Sequence, residues 1–250
     1  MSKFFESKNP LLKESAMEKS MSKTDGGFIG YADRMSIAGA VNKTFMLFGI
    51  MMITTVVSYM NPSMINLMVG AFGGLGVLLY AMWKPTSAPF TAPLYALLEG
   101  LFVGAISYMY GSQAGMDGIV GQAVMLTFGT LVSMLMLYKS GLIEVTHKFR
   151  MGVAMATGAI MLTYLASFVM SMFGSTMPFL HDNGMMGIGI SVVIIGVAAM
   201  NLLLDFDSFE KGEAAGAPKY MEWMCAMGLM VTLIWLYVEF LRLLSKLQRD

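Results

Sequence analysis

Five ionisable side chains lie in or beside long apolar segments of this sequence, and they are its candidates for chemistry. Asp205 and Asp207 close the apolar run LLLDFD, and Glu222 opens the next run. Glu99 interrupts an earlier run, and Lys84 ends another. A carboxylate at the edge of an apolar segment must find water, a cation or a partner, because burying it alone is costly. The five are therefore candidates for proton sensing or for an ion path.

Asp205 and Glu222 are the first pair to consider. Asp205 directly follows three leucines, and helical geometry places Asp205 and Asp207 on different faces. We expect Asp205 to face the interior, and Asp207 and Glu210 to be solvated at the end of the helix. Glu222 follows a short connection, so we expect it to be the nearest acidic neighbour of Asp205. Such a pair would hold one proton or bind calcium weakly.

Glu99 lies about ten residues into its run, near the middle of a bilayer for a rise of about 1.5 Å per residue. An ionised carboxylate there costs at least about 2.5 kcal/mol, so Glu99 is either protonated or faces a polar interior. We favour an ion-path or relay role over a neutral Glu that is hydrogen-bonded between helices. The side chain of Lys84 either extends to the interface or turns inward to a carboxylate.

The remaining chemical groups favour structural interpretations. Glu239 and Arg242 are three residues apart, which predicts a local ion pair. His147 and His181 are expected on opposite sides of the membrane, so they cannot share a metal. Four methionines near Cys225 are spaced by three residues and could bind copper(I), but packing is favoured because the chain contains 29 methionines. These four are Met221, Met224, Met227 and Met230.

Composition limits the class of protein. The chain of 250 residues is 56% hydrophobic and 13% charged, with a mean hydropathy of +0.66, which indicates a membrane protein. The formal net charge of +0 and the lack of a basic patch argue against nucleic acid as a partner. No Ser/His/Asp set or HExxH motif occurs, so we expect neither an enzyme nor a resident cofactor.

Seven apolar runs are long enough to cross a bilayer, and they predict an all-α bundle of seven transmembrane helices. Small residues at four-residue spacing, as in Gly70/Gly74 and Gly100/Gly104, predict close helix packing. The predicted spans are 44–60, 64–83, 90–110, 117–138, 151–173, 184–205 and 219–241.

Basic residues set the expected orientation. The segment before the first span and the breaks after spans two, four and six hold 13 of the 16 lysines and arginines. The positive-inside rule therefore predicts a cytoplasmic N-terminus and an outer C-terminus. We expect residues 1–43 to be a polar cytoplasmic tail, with 1–26 disordered, and residues 44–247 to be the transmembrane domain.

Three segments carry a family resemblance: LYALLEGLFVGAISY, YKSGLIEVTHKFR and GAPKYMEWMCAMGLMVTLIWLYVEFLRLL. With LLLDFD closing span six, they resemble a bacterial branch of the Bax inhibitor-1/YccA family. The resemblance implies a multi-pass protein of the bacterial inner membrane with pH-sensitive calcium-leak activity. It also implies a gating carboxylate pair on spans six and seven, of which Asp205 matches the first member. Thr232 aligns with the second, and Lys84 approximates a basic residue near the end of span two.

Two functions follow as expectations. One is a proton-gated leak for calcium ions or protons, with Glu222 or Glu99 as possible replacements for the second aspartate. Protonation of the Asp205 cluster would shift a closed/open equilibrium through lost repulsion or a lost ion pair. The other is a non-transporting interaction protein that regulates a membrane protease or a stress response, with the N-terminal tail as a docking segment.

Overall fold

The computed structural model of the chain describes residues 34–113, 118–174 and 184–248. Within these ranges seven helices are long and apolar enough to cross a membrane, which confirms the predicted all-α bundle. A short 3-10 helix, Pro85–Ser87, precedes the third. The helices are α1 (Ile37–Met60), α2 (Met64–Trp83), α3 (Ala88–Gly111), α4 (Ile119–Lys139), α5 (His147–Met172), α6 (Met185–Ala214) and α7 (Met221–Leu247). The predicted disorder of residues 1–26 and the position of His181 lie outside the described residues.

The first helix begins earlier than the hydropathy pattern suggested. Ser36 caps α1, and its hydroxyl accepts a hydrogen bond from the backbone N–H of Gly39. A serine cap satisfies one of the free N–H groups at a helix start, so the helix begins at Ile37 and not near Thr44. The polar residues between Ile37 and Thr44 therefore belong to α1.

The sixth helix continues past the residue at which it was expected to end. Asp205 was predicted to close the span, but α6 runs on to Ala214. The residues that follow Asp205 include no proline, and the chain turns only near Gly216, whose φ of 61° is a left-handed conformation that favours glycine. Asp205, Asp207 and Glu210 are consequently all helical.

The seventh helix forms the centre of the bundle. Of its 27 residues 15 are buried, and it packs against α1, α3, α4 and α6. By contrast, α5 buries only Val153 and Ser167 among its 26 residues. Most of the α5 surface therefore faces the surrounding membrane, while α7 supplies much of the core.

Glycines allow α3 to lie close to α1 and α2. A Cβ atom added at Gly70 would fall 2.7 Å from the backbone oxygen of Leu98, and one at Gly104 would fall 2.9 Å from the backbone nitrogen of Tyr59. An added methyl group at Gly100 would collide with Thr54. The close packing predicted from the four-residue spacing is confirmed.

Candidate functional site

The site around Asp205 lies between α6 and α7. The Thr232 hydroxyl lies 2.7 Å from Oδ2 of Asp205 and donates a hydrogen bond to it. Thr232 is buried, and a Cβ atom added at Gly228 would lie 3.8 Å from Oδ1 of Asp205. Cys225, Gly228 and Thr232 are spaced by three and four residues, so they share one face of α7. Asp205 therefore points inward, toward α7, as its sequence context predicted.

The Thr232 hydroxyl has two acceptors within reach. Besides Asp205, the backbone oxygen of Gly228 lies 3.3 Å away. A hydroxyl carries one proton and cannot donate fully to both acceptors at once. A protonated Asp205 could donate to Thr232, which would then donate to Gly228, and every group would be satisfied. An ionised Asp205 would keep a single hydroxyl donor. The geometry thus accommodates the neutral acid better than the carboxylate.

Glu222 has partners of its own. Its carboxylate accepts hydrogen bonds from the backbone N–H of Ser36 at 2.9 Å and from the Ser36 hydroxyl at 3.2 Å, and it pairs with the Lys43 ammonium. The Lys43 nitrogen lies 5.4 Å from the ring centre of Trp223. Glu222 is only 2% exposed, so this is a buried ion pair.

These contacts contradict the expected pairing of Asp205 with Glu222. Ten residues separate Glu222 from Thr232 on α7, which corresponds to about 15 Å along a helix. The two carboxyl groups have separate partners at different levels of the bundle. The two acids are apart because α6 extends to Ala214, so Asp205 lies two to three turns before the end of its helix.

The start of α1 is attached to the α6–α7 connection. Besides the contacts of Glu222, the backbone N–H of Ile37 donates to Glu213 at 3.0 Å, and that of Met35 donates to the Ala217 oxygen at 2.7 Å. Two carboxylates and one carbonyl thus hold the N-terminal end of the transmembrane domain. We call these contacts, made by Met35, Ser36, Ile37 and Lys43 with Glu213, Ala217 and Glu222, the N-terminal clasp.

Asp207 is buried, and the expectation that it is solvated is wrong. Its carboxylate pairs with the Arg150 guanidinium of α5, and with the Lys211 ammonium at 2.8 Å. Because α6 continues beyond Asp207, this side chain lies within the helix and faces α5. Glu210 is exposed, as expected, and accepts a hydrogen bond of 2.7 Å from the Tyr138 hydroxyl.

Polar contacts attach α5 to the bundle at three levels. Arg150 pairs with Asp207, and the Thr157 hydroxyl oxygen accepts a hydrogen bond of 2.8 Å from the Asn201 amide. One further heptad along, the Tyr164 hydroxyl donates to Glu239 at 2.6 Å. The three α5 residues are seven apart and so lie on one face. The seven-residue spacing of these polar residues could have indicated which face of α5 contacts the bundle. Hydropathy alone did not indicate it.

Glu239 and Arg242 form the predicted ion pair, with a nitrogen–oxygen distance of 3.0 Å. The pair is local to α7, as predicted, but Arg242 also donates to the Tyr164 hydroxyl of α5 and lies 4.9 Å from the centre of its ring. The Glu239 side chain is 1% exposed. The prediction was therefore correct about the pair but did not include its contact with α5.

Glu99 is 9% exposed and lies between α2 and α3. A Cβ atom added at Gly74 would fall 2.5 Å from Oε1 of Glu99, so the carboxyl group packs on the glycine. Tyr95 lies one turn earlier on α3 and is also buried. Lys84 is exposed at the end of α2, which favours the interfacial alternative for this side chain.

The remaining candidates are structural in character. His147 is exposed at the first position of α5, and Met227 and Met230 are fully buried in the core. In residues 34–113, 118–174 and 184–248, no three His, Cys, Asp or Glu side chains are grouped so as to hold a metal ion. Weak calcium binding thus stays a prediction.

Seven apolar helices within the described ranges, packed around an apolar core, define a multi-pass membrane protein. The sequence model of the family described as Bax inhibitor 1 like matches residues 9–249. The chain therefore belongs to the Bax inhibitor 1 like family. No individual curated protein sequence matches the chain significantly.

Proposed function

We propose that the protein is a proton-sensitive leak pathway for calcium ions across the membrane, with Asp205 as the proton-sensing group. The observation that carries this proposal is the bond between Asp205 and Thr232. It leaves a half-buried acid with a neutral hydroxyl partner inside a membrane-spanning bundle. Such a group changes its need for water when it gains or loses a proton.

The pathway conducts when Asp205 is ionised. A carboxylate with one hydroxyl donor in an apolar bundle requires further donors or a cation, which favours a hydrated arrangement of α6 and α7. A protonated Asp205 can donate to the Thr232 hydroxyl, which then donates to the Gly228 oxygen. It therefore needs no water, and the bundle can stay closed. Flux should therefore rise as pH increases. The equilibrium between the two arrangements is the gate.

The opening motion involves α5. This helix buries few apolar side chains, and polar contacts such as those of Arg150 and Tyr164 attach it to the bundle. Separating it from α6 would cost little apolar burial compared with moving α7. Water and cations could then reach the Asp205 side chain from the end of the bundle at which Arg150 lies.

Liposomes that contain a calcium-sensitive dye test the proposal directly. Purified protein should produce calcium entry that exceeds that of empty vesicles and increases from acidic to neutral pH. The dye must be calibrated at each pH, and vesicles with an unrelated seven-helix protein provide the control for non-specific leakage. Flux equal to that of the control at every pH would contradict a leak function.

A second candidate function is a non-transporting interaction protein that regulates a membrane protease. The N-terminal clasp favours this function. A partner that binds the preceding tail could disturb the contacts that Glu213 and Glu222 make with the start of α1. Deletion of residues 1–33 would leave the clasp residues in place. If this deletion abolishes copurification with a membrane protease and wild-type vesicles show no flux, the interaction function replaces the leak.

A further inference from the structure

A cavity lies at the end of the bundle where α7 ends. Its volume is about 620 Å³, within the range of ligand pockets, and residues of α2, α3, α5 and α7 line it. The wall formed by α2 and α3 is largely apolar. The apolar lining includes Met64, Leu67, Ala71, Phe72, Phe102 and Ile106.

The opposite wall carries positive charge. Arg242 and Lys246 line the cavity together with Ser245 and Gln113, and none of the described lining residues is acidic. Lys246 is 5% exposed and donates hydrogen bonds to the Gly187 oxygen at 2.9 Å and the Ser191 hydroxyl at 3.1 Å. The cavity therefore joins an apolar wall to a cationic one.

Arg242 keeps donors for a ligand. The bonds described for its guanidinium, to Glu239 and Tyr164, all come from Nη1. A guanidinium has five N–H donors in a fork that suits carboxylate and phosphate oxygens. Within the described part of the chain, the Nε and Nη2 donors have no assigned acceptor. The pair with Glu239 holds the guanidinium at the edge of the cavity.

We infer that this cavity binds the headgroup phosphate of an anionic phospholipid, with an acyl chain against the α2–α3 wall. Charge complementarity selects an anion, and the apolar wall selects a ligand with a hydrocarbon chain. A lipid satisfies both conditions at once, whereas a free anion would leave the apolar wall in contact with water. The cavity residues of α7 begin ten residues beyond Thr232, so the site is separate from the proposed leak around Asp205.

Native mass spectrometry and thermal unfolding of the full chain in neutral detergent test this inference. Phosphatidylglycerol should form a retained complex and raise the melting temperature. Phosphatidylcholine with the same acyl chains, and inorganic phosphate alone, should do neither. Equal binding of phosphatidylcholine would overturn the charge argument, and equal stabilisation by inorganic phosphate would show a simple anion site instead.

Two variants address the two walls separately. Lys246→Gln removes one positive charge, and Ala71→Leu narrows the apolar wall while keeping both cations. Each should weaken phosphatidylglycerol binding by about tenfold or more. Lys139→Gln, which removes an exposed charge on α4, is the matched control and should change nothing. If Lys246→Gln does not fold, Ala71→Leu decides. Unchanged binding in the folded variants refutes the site, as does an equal loss in the control.

Discussion

The Thr232 hydroxyl determines what Asp205 can do at the residue scale. A second carboxylic acid at this position would share a proton with Asp205, and the pair would titrate as a unit. A threonine supplies a donor and an acceptor but no charge. Asp205 therefore titrates beside a neutral partner, and its protonation state alone changes the charge between α6 and α7 at this level.

Replacing Thr232 by valine should destabilise the protein while keeping its shape. Valine fills almost the same volume but leaves Asp205 without its hydroxyl partner, at a cost of about 1–3 kcal/mol. Thermal unfolding in detergent should show a lower melting temperature for Thr232→Val. Thr232→Ser retains the hydroxyl and is the control. Equal melting temperatures for the valine variant and the wild type would mean that the bond contributes nothing.

Glu99 has two possible roles that substitutions can separate. If it lines an ion path, Glu99→Gln should fold normally and reduce calcium flux, because the charge is lost. If it is a neutral acid packed on Gly74, Glu99→Gln should leave flux unchanged, and Glu99→Leu should lower stability by about 1–3 kcal/mol.

The packing of Glu99 on Gly74 favours the structural role. We therefore expect unchanged flux in Glu99→Gln and a lower melting temperature in Glu99→Leu, measured in the same preparations. Reduced flux in the glutamine variant, at equal protein content in the vesicles, would show that Glu99 lines the ion path.

Among the elements, α5 differs from its neighbours in how it is held. The other helices contact each other through buried apolar side chains and glycines as well as through polar contacts. By contrast, α5 buries only two residues, and polar contacts of Arg150, Thr157 and Tyr164 attach it to the bundle. Lipid offers no replacement partners to a polar group whose interhelical contact breaks. Each such contact nevertheless contributes only modestly to the association of the helices. This combination suits a helix that moves between two positions.

Arg150→Gln should release the end of α5 nearest Asp207. The Arg150 side chain is 40% exposed, so the pair contributes no more than about 1 kcal/mol to the closed arrangement. Losing that amount shifts the closed/open ratio by about fivefold, and calcium flux should rise accordingly. Lys211→Gln removes the more exposed partner of Asp207 and should have little effect. A lower or unchanged flux in Arg150→Gln would contradict a role for α5 in opening.

Hydropathy was sufficient to predict the seven helices, because each must satisfy its backbone bonds within the apolar segment. It could not predict where α1 starts or where α6 ends. The Ser36 cap and the turn at Gly216 set those limits, and both lie in polar sequence that resembles a loop. The error at α6 explains why Asp207 was expected in solvent.

Side-chain partners were harder to predict than helices. That Asp205 faces inward followed from its position after three leucines. The family resemblance placed Thr232 at the second position of the carboxylate pair, and Thr232 is the residue that Asp205 contacts, whereas the expected neighbour Glu222 is not. The partners of Glu222 and Asp207 come from helices distant in sequence, and only the packing of α1 and α5 brings Lys43 and Arg150 to them. Local spacing contains no information on such contacts.

At the scale of the whole bundle, most of the buried acids in the described part of the chain are paired with a cation. Glu222 pairs with Lys43, Asp207 with Arg150, and Glu239 with Arg242. Among the described residues, the ion pairs include neither Asp205, which is hydrogen-bonded to Thr232, nor Glu99. Protonation of an unpaired acid inside a membrane protein changes the local charge. Because Glu99 packs on Gly74 in a structural role, the response to pH should originate at Asp205.

The most direct test of the central claim is the pH profile of calcium flux for Asp205→Asn in liposomes. Asparagine keeps the shape and can hydrogen-bond to Thr232, but it cannot ionise, so the variant corresponds to a permanently protonated Asp205. We expect flux that is low and constant from acidic to neutral pH, beside a wild-type flux that rises over the same range. A variant that retains the full wild-type pH response would show that Asp205 is not the sensor.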